Sequence, residues 1–293
     1  MTTPDRRKWL ALALLGAVQF MVVLDLAIVN VALPSIQRDL GFSQENLQWV
    51  ISAYALLFGG FLLLGGRAAD LLGRRRVFRV GLIVFSVASL LSGLAWSEGA
   101  LIGSRALQGL GSAIISPAAL SILTTTFAEG RERNTALGAW GAVGAFGAVA
   151  GVLLGGILTD LLSWQWIFFV NLPVGIAAFA VAPLLLAESR DARGRSIDLP
   201  GAVLVTSGLV GLVYALTQAN SNGWGSTKTI VPSAMPARLA PTSVRSRKID
   251  RGRSGSRVRD SQATNAVSSA SAAANSPIVL AEPQPLPFAC VSA

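Results

Sequence analysis

Long apolar runs broken by short charged stretches dominate residues 1–219 of the chain. Seven of these runs reach the roughly 20 mostly apolar residues that a helix needs to cross a bilayer. They cover 9–33, 47–66, 77–96, 100–127, 135–159, 166–187 and 199–219. The first run is too long for a signal-peptide core and no small-residue cleavage site follows it, so it reads as a retained span. Beyond 219 the pattern stops. Residues 220–293 are rich in Ser, Ala, Pro and Arg, with Trp224 and Phe288 as the aromatics, and read as a disordered tail. The pattern predicts an all-α membrane protein: a six-helix bundle over 1–198, a seventh, linking helix over 199–219, and a basic tail over 220–293.

Composition agrees with the pattern. The chain is 52% apolar and 13% charged, whereas soluble domains carry about 25% charged residues. Its net charge of +9 suits either a nucleic-acid binder or a membrane protein, and the placement of the charges decides between them. One set of loops holds Arg6, Arg7, Lys8, Arg67, Arg74, Arg75, Arg76, Arg79, Arg131, Arg133, Arg190, Arg193 and Arg195, while the opposite set holds Arg38. That alternation puts the N-terminus in the cytoplasm of a multi-pass protein of the inner membrane. The tail, basic from Lys228 to Arg259, lies on the wrong side for this rule after an odd seventh span. It also lacks the interleaved aromatics of single-strand binders, so no nucleic-acid partner is expected.

The chain has no histidine, and Cys290 is its single cysteine. His metal sites, His general bases, Ser/His/Asp triads and thiol frameworks are therefore excluded. No metal or organic cofactor is expected, and an enzyme built from Ser, Thr, Asp25 and Arg105 alone is a poor prospect.

Ionisable side chains inside a span are costly and mark function by default. Asp25 lies in the first run and Arg105 in the fourth, within Arg105-Ala106-Leu107-Gln108-Gly109-Leu110-Gly111. Both fall at similar depth, roughly 12 Å and 8 Å from the outer ends of their runs at 1.5 Å per residue. Contact is possible if the two helices adjoin. Burial favours a neutral carboxyl and a nearby cation favours an ionised one, and a carboxylate balanced between the two suits proton exchange. A purely structural ion pair or interhelical hydrogen bond is the alternative.

Three further stretches stand out. Gly66, Asp70, Gly73, Arg74 and Arg75 fall in a short loop between the second and third runs, with Asp70 and Arg74 spaced to share a helical face. The fifth run carries Gly138, Gly141, Gly144, Gly147, Gly151, Gly155 and Gly156, and the set from Gly141 to Gly155 at spacings of three and four forms a groove for close helix approach. The sixth opens with Trp164 and Trp166, which suit an interfacial aromatic belt, followed by Asn171 and Pro173 inside the span.

Together these stretches resemble the major facilitator superfamily, most closely its fourteen-helix drug/proton antiporter branch, over about residues 9–225. Leu24 to Pro34 looks like the branch's first-helix acidic motif, and Gly66 to Arg75 fits the family's G-x-x-x-D-x-x-G-R-[KR] loop. Arg105, Gln108, Gly109 and Gly111 match R-x-x-Q-G-x-G. Gly147, Gly151, Gly155 and Gly156 match the antiporter motif, and Trp164 to Gly175 is similar to W-R-W-I-F-x-x-N-x-P-x-G. Val152 stands where that antiporter motif has proline, and Gln165 where the signature has arginine.

The resemblance implies a proton-coupled efflux transporter of amphipathic or cationic small molecules, with Asp25, Arg105 and Gln108 coupling protons to substrate. Asp70, Arg74 and Arg75 would form a cytoplasmic latch, and the Gly147 to Gly156 face a sliding surface. The proton gradient would be the coupling agent and membrane lipid the surroundings. Such transporters rock two six-helix halves about a midplane site, and this sequence provides one half plus a linker. A frameshift or truncation near 225–240 is the expected origin of the tail, with a missing C-terminal half as partner. The competing reading is a non-transporting membrane interaction protein, dimerising through the helix-five glycines.

Overall fold

Caps and single glycines set where each helix begins and turns. A computed structural model describes residues 3–190, 206–212, 214 and 215. Its helices are α1 (Thr3–Leu40), α2 (Gln44–Leu47), α3 (Trp49–Leu72), α4 (Arg74–Gly93), α5 (Glu98–Thr126), α6 (Arg131–Leu161), α7 (Trp166–Phe169) and α8 (Asn171–Leu185). Ser43 caps α2, its hydroxyl accepting the Asn46 N–H at 3.1 Å, and Ser97 caps α5 by accepting the Ala100 N–H at 3.3 Å. Glu98 ties these two starts together, accepting from the Ser43 N–H and the Asn46 amide. Among the described residues, six segments are long and apolar enough to cross a membrane, and the chain is a multi-pass membrane protein.

Boundaries differ from the hydropathy pattern in an instructive way. The stretch Gly66 to Arg76 is no loop: α3 continues to Leu72, α4 begins at Arg74, and Gly73 alone, at φ 105°, makes the turn. Hydropathy marks where the bilayer ends, whereas a helix ends only where its backbone bonds are broken. α1 likewise runs past Leu33 to Leu40. The sixth run, expected to be continuous, is interrupted at Val170. Pro173 lies in the first turn of α8, where its missing N–H leaves no intrahelical bond unmade.

Of the seventh run, residues 206–212, 214 and 215 are helical. Val210 lies over Gly60 of α3, and the Tyr214 ring stands 6.1 Å from that of Trp49. The rest of 199–219, residues 191–198 and the whole 220–293 tail fall outside the described residues.

Helix α1 packs mainly on α6, and α5 lies between α3 and α4, while α8 closes on both α1 and α4. Glycines make the close approaches. A Cβ at Gly151 would stand 2.8 Å from Ala27 Cβ and 2.9 Å from Leu24 O, and one at Gly155 or Gly147 would stand 3.0 Å from a backbone oxygen of α1. On the other seam a Cβ at Gly65 would overlap Ala113 O, one at Gly109 would overlap Tyr54 O, and one at Gly111 would stand 2.7 Å from Phe85 N. The α6 groove is narrower than its spacing suggests. Gly138, Gly141 and Gly156 face open space, because Gly156 is turned about 100° from Gly155 and Gly141 lies beyond the last close contact at Gly144. The face from Gly147 to Gly155 is occupied by α1 of the same chain, and a dimer built on it would have to displace α1.

Two apolar clusters fill the bundle. One, around Leu15, Val18, Phe78, Phe85 and Phe127, lies toward the arginine-rich end. The other, around Ile28, Val29, Val50, Leu101 and Phe168, lies toward the opposite end. A buried polar layer lies between them.

These contacts predict opposite outcomes for two equivalent substitutions. Gly109→Ala, which drives a methyl into the α3 backbone, is expected to destabilise the bundle by about 1–3 kcal/mol in detergent unfolding. Gly156→Ala should be neutral or stabilising by about 0.5–1 kcal/mol, through helix propensity alone. Equal effects at the two positions would show that the seam is not closely packed.

Candidate functional site

The polar layer is a closed network of five side chains from four helices. Asp25 of α1 is wholly buried and Arg105 of α5 is 1% exposed. Arg105 Nη1 donates to Asp25 Oδ2 at 2.6 Å and to Gln108 Oε1 at 2.7 Å, and Nε donates to Val50 O at 3.2 Å. Arg105 and Gln108 stand three apart on α5, on one helical face. Gln108 Nε2 in turn donates to Asp25 Oδ1 at 2.7 Å and to Ser89 Oγ at 3.1 Å. Asn171 of α8 repeats this arrangement, donating to Asp25 Oδ1 at 2.8 Å and Ser89 Oγ at 3.0 Å. Ser89 of α4 donates to Phe168 O at 3.0 Å. The guanidinium also lies 4.4 Å over the Tyr54 ring and 5.7 Å from that of Phe168, cation–π contacts that gain strength without water.

A buried carboxylate and guanidinium each lose hydration worth several kcal/mol, and only close pairing with further hydrogen bonds offsets that loss. Here both carboxylate oxygens are met by donors and the guanidinium by three kinds of acceptor. The network therefore holds a carboxylate and a guanidinium together at helix depth.

At the arginine-rich end the helix termini satisfy one another. Glu188, just past α8, accepts the Arg75 N–H at 3.1 Å, and Ser189 O accepts the Arg74 N–H at 2.9 Å, so the open N-terminus of α4 meets a carboxylate. In return Arg75 Nη1 donates to Leu186 O at 3.1 Å, and Arg7 donates to Leu184 O and Leu185 O, covering the carbonyls that end α8. Asp70 and Arg74 pair at 3.0 Å across one turn, and Ser121 of α5 donates to Asp70 at 3.5 Å. Gly66 lets α3 come against Pro117, and a Cβ at Gly73 would press on the Glu188 carboxylate.

At the opposite end the two tryptophans part company. Trp166 is half exposed, as an aromatic belt requires, but Trp164 is buried and its Nε1 donates to Asp39 at 2.7 Å. It anchors the end of α1 and does not face lipid. Pro173 carries no contact of its own in the network; its place at the α7–α8 break sets Asn171 at the start of α8.

Sequence reading named Asp25, Arg105, Gln108 and Asn171 but did not join Asn171 to the others, and it missed Ser89, Tyr54 and Glu188. Ser86, Ser89 and Ser92 at three-residue spacing on α4 were a usable signal for a polar face. Glu188 shares its arginine-rich stretch with Asp191, so nothing in the sequence singled it out. Replacing one partner of the buried pair tests its strength. Arg105→Leu is expected to lower stability by about 3–5 kcal/mol, and adding Asp25→Leu should recover at least half of that loss in the same unfolding assay. A double variant as unstable as the single one would mean that the two charges do not support each other.

The puromycin resistance protein pur8 of Streptomyces alboniger is 51% identical over 222 residues, covering 76% of this chain and 44% of its own length. The cephamycin export protein CmcT of Amycolatopsis lactamdurans is 47% identical over 226 residues, with 76% and 46% covered. The multidrug resistance protein Stp of Mycobacterium tuberculosis is 39% identical over 227 residues, with 78% and 42% covered. The chain thus spans less than half the length of these relatives. Among solved structures, the peptide transporter POT in complex with sulfate shares the fold at a TM-score of 0.57 and 18% identity, over 75% of this chain and 48% of that one. The pattern of the Major Facilitator Superfamily matches residues 15–249. That match takes in the buried network and, Arg7 apart, the arginine-rich junction, and the chain belongs to the Major Facilitator Superfamily.

Proposed function

We propose that this bundle is the proton-coupling half of an exporter that moves amphipathic or cationic small molecules out of the cell in exchange for protons. The observation that carries the reading is the Asp25–Arg105 pair, at 2.6 Å and without solvent. A carboxylate so placed can hold a proton in one state and a cation, Arg105 or substrate, in the other. Relatives whose names describe antibiotic resistance or export support the substrate class.

Orientation follows from charge. The end bearing Arg7, Arg74, Arg75, Arg76, Arg131 and Arg133 faces the cytoplasm of a cell with this protein in its inner membrane. The pairing of Asp70 with Arg74, and of Arg75 with Glu188, at that end acts as a latch on the helix termini, and alternating access needs a second six-helix unit to rock against. No metal or organic cofactor enters this scheme; the proton gradient supplies the work.

The test uses the full 293-residue chain in lipid nanodiscs, with a fluorescent lipophilic cation as probe and pH as the variable. Binding that weakens as the pH falls is expected from the parent chain, and a loss of at least about tenfold in that pH dependence in Asp25→Asn, the loss that removing about 1.4 kcal/mol of coupling alone would give. Binding by the parent chain that does not change with pH, or an unchanged pH dependence in the variant, overturns the reading.

A further inference from the structure

Resting on the proton site proposed above, we infer that Asn171, held by Ser89, is the positioning residue that reverses its amide to accept the proton when Asp25 is neutral. Every group around the Asp25 carboxylate is an N–H donor: Gln108 and Asn171 on Oδ1, Arg105 on Oδ2. That arrangement suits the ionised carboxylate. A protonated carboxyl must instead donate, so one of the three neighbours has to turn an acceptor toward it.

Arg105 has no acceptor to offer. Gln108 has one, but its Oε1 already accepts from Arg105 at 2.7 Å. Turning the Gln108 amide over would aim an NH₂ group at the guanidinium, donor against donor. Asn171 bonds Asp25 and Ser89 through the same nitrogen, without a bond to Arg105. Rotation of its amide by half a turn brings its oxygen to face both partners at once.

The exchange balances atom by atom. A proton brought by hydronium, which leaves as water, adds to Asp25 Oδ1, and the new O–H donates to Asn171 Oδ1 as the Asn171 NH₂ turns away from Asp25 and Ser89. Ser89 turns its hydroxyl hydrogen from Phe168 O to Asn171 Oδ1, while its oxygen still accepts from Gln108. Phe168 O gives up the hydroxyl in that exchange. Arg105 keeps Gln108, Val50 and the Tyr54 ring. The titratable groups facing Asp25 are Arg105 from α5 and Tyr54 from α3. No ionisable residue occurs in α4 after Arg79, in α6 between Arg133 and Asp160, in α7 or in α8, so the proton is shared with no further acid or base from those helices.

Sign separates this role from a merely structural one. If Asn171 is a fixed donor, Asn171→Leu removes support from the ionised carboxylate alone, and Asp25 takes up its proton at higher pH. If it reverses, the ionised form loses one donor of three and keeps Gln108 and Arg105, while the protonated form loses its one acceptor, so the greater loss falls on the protonated form and uptake moves to lower pH. Infrared difference spectra of the full chain in lipid, recorded against pH, follow the carbonyl stretch of the protonated carboxyl, assigned by its loss in Asp25→Asn. The expected result in Asn171→Leu is a fall of about one pH unit in the half-developed band, the equivalent of one hydrogen bond. Ser89→Ala, a smaller change that deletes the second donor to the turned amide, is expected to shift the band in the same direction. A midpoint that rises in either variant overturns the inference while leaving the proton site standing. A parent chain with no Asp25 carboxyl band overturns both.

Discussion

Helix α1 and helix α5 meet over a short stretch, and at that stretch a carboxylate and a guanidinium are locked together without water. The rest of the bundle is arranged around this pair. On one side α1 is seamed to α6 through Gly147, Gly151 and Gly155; on the other α5 is seamed to α3 and α4 through Gly65, Gly109 and Gly111. Asp25 belongs to the first seam and Arg105 to the second. Their pairing therefore fixes how the two seams stand relative to each other, and a shift of one seam must either carry or break it. Losing hydration on both ions is tolerable because Gln108, Asn171, Tyr54 and the Val50 carbonyl meet the remaining valences of the pair.

Small residues and helix ends serve that arrangement. A methyl at Gly109 would push α3 away from α5 and open the space behind Tyr54, whose ring covers the guanidinium. At the arginine-rich end, Glu188 against the start of α4 and Arg7 and Arg75 against the end of α8 exchange opposite charge for opposite dipole. Those contacts tie α1, α4 and α8 into one frame. The frame brings Ser89 and Asn171, on two different helices, to the same carboxylate oxygen's surroundings.

Much of this was legible from residues alone. Runs of apolar residues gave the six described spans, and a charge inside an apolar run marked Asp25 and Arg105, because nothing but function or pairing sustains an ion there. Gln108 was marked by its motif spacing. What hydropathy could not mark was where a helix goes on after its apolar run stops, so Gly66 to Leu72 read as loop although its backbone bonds are unbroken. It also could not mark the groove's true width, since Gly141 and Gly156 differ from Gly151 only in what lies opposite. Trp164 and Trp166 look alike in sequence, yet Asp39 at the end of α1 draws one inward. Ser89 and Asn171 were the hardest to place. Neutral polar residues in a span are common, and their meaning depends on a carboxylate contributed by another helix.

The account's central claim is that the Asp25 network trades a proton for a cation, and proton counting on binding tests it most directly. The full chain in weakly buffered detergent solution, with a pH indicator present, is mixed with a lipophilic cation at a pH below the midpoint of the Asp25 carboxyl band. The account predicts release of about one proton per cation bound in the parent chain and none in Asp25→Asn, since the protonated carboxyl must ionise to receive the cation. Binding by the parent chain without proton release, or equal release by the variant, would contradict it.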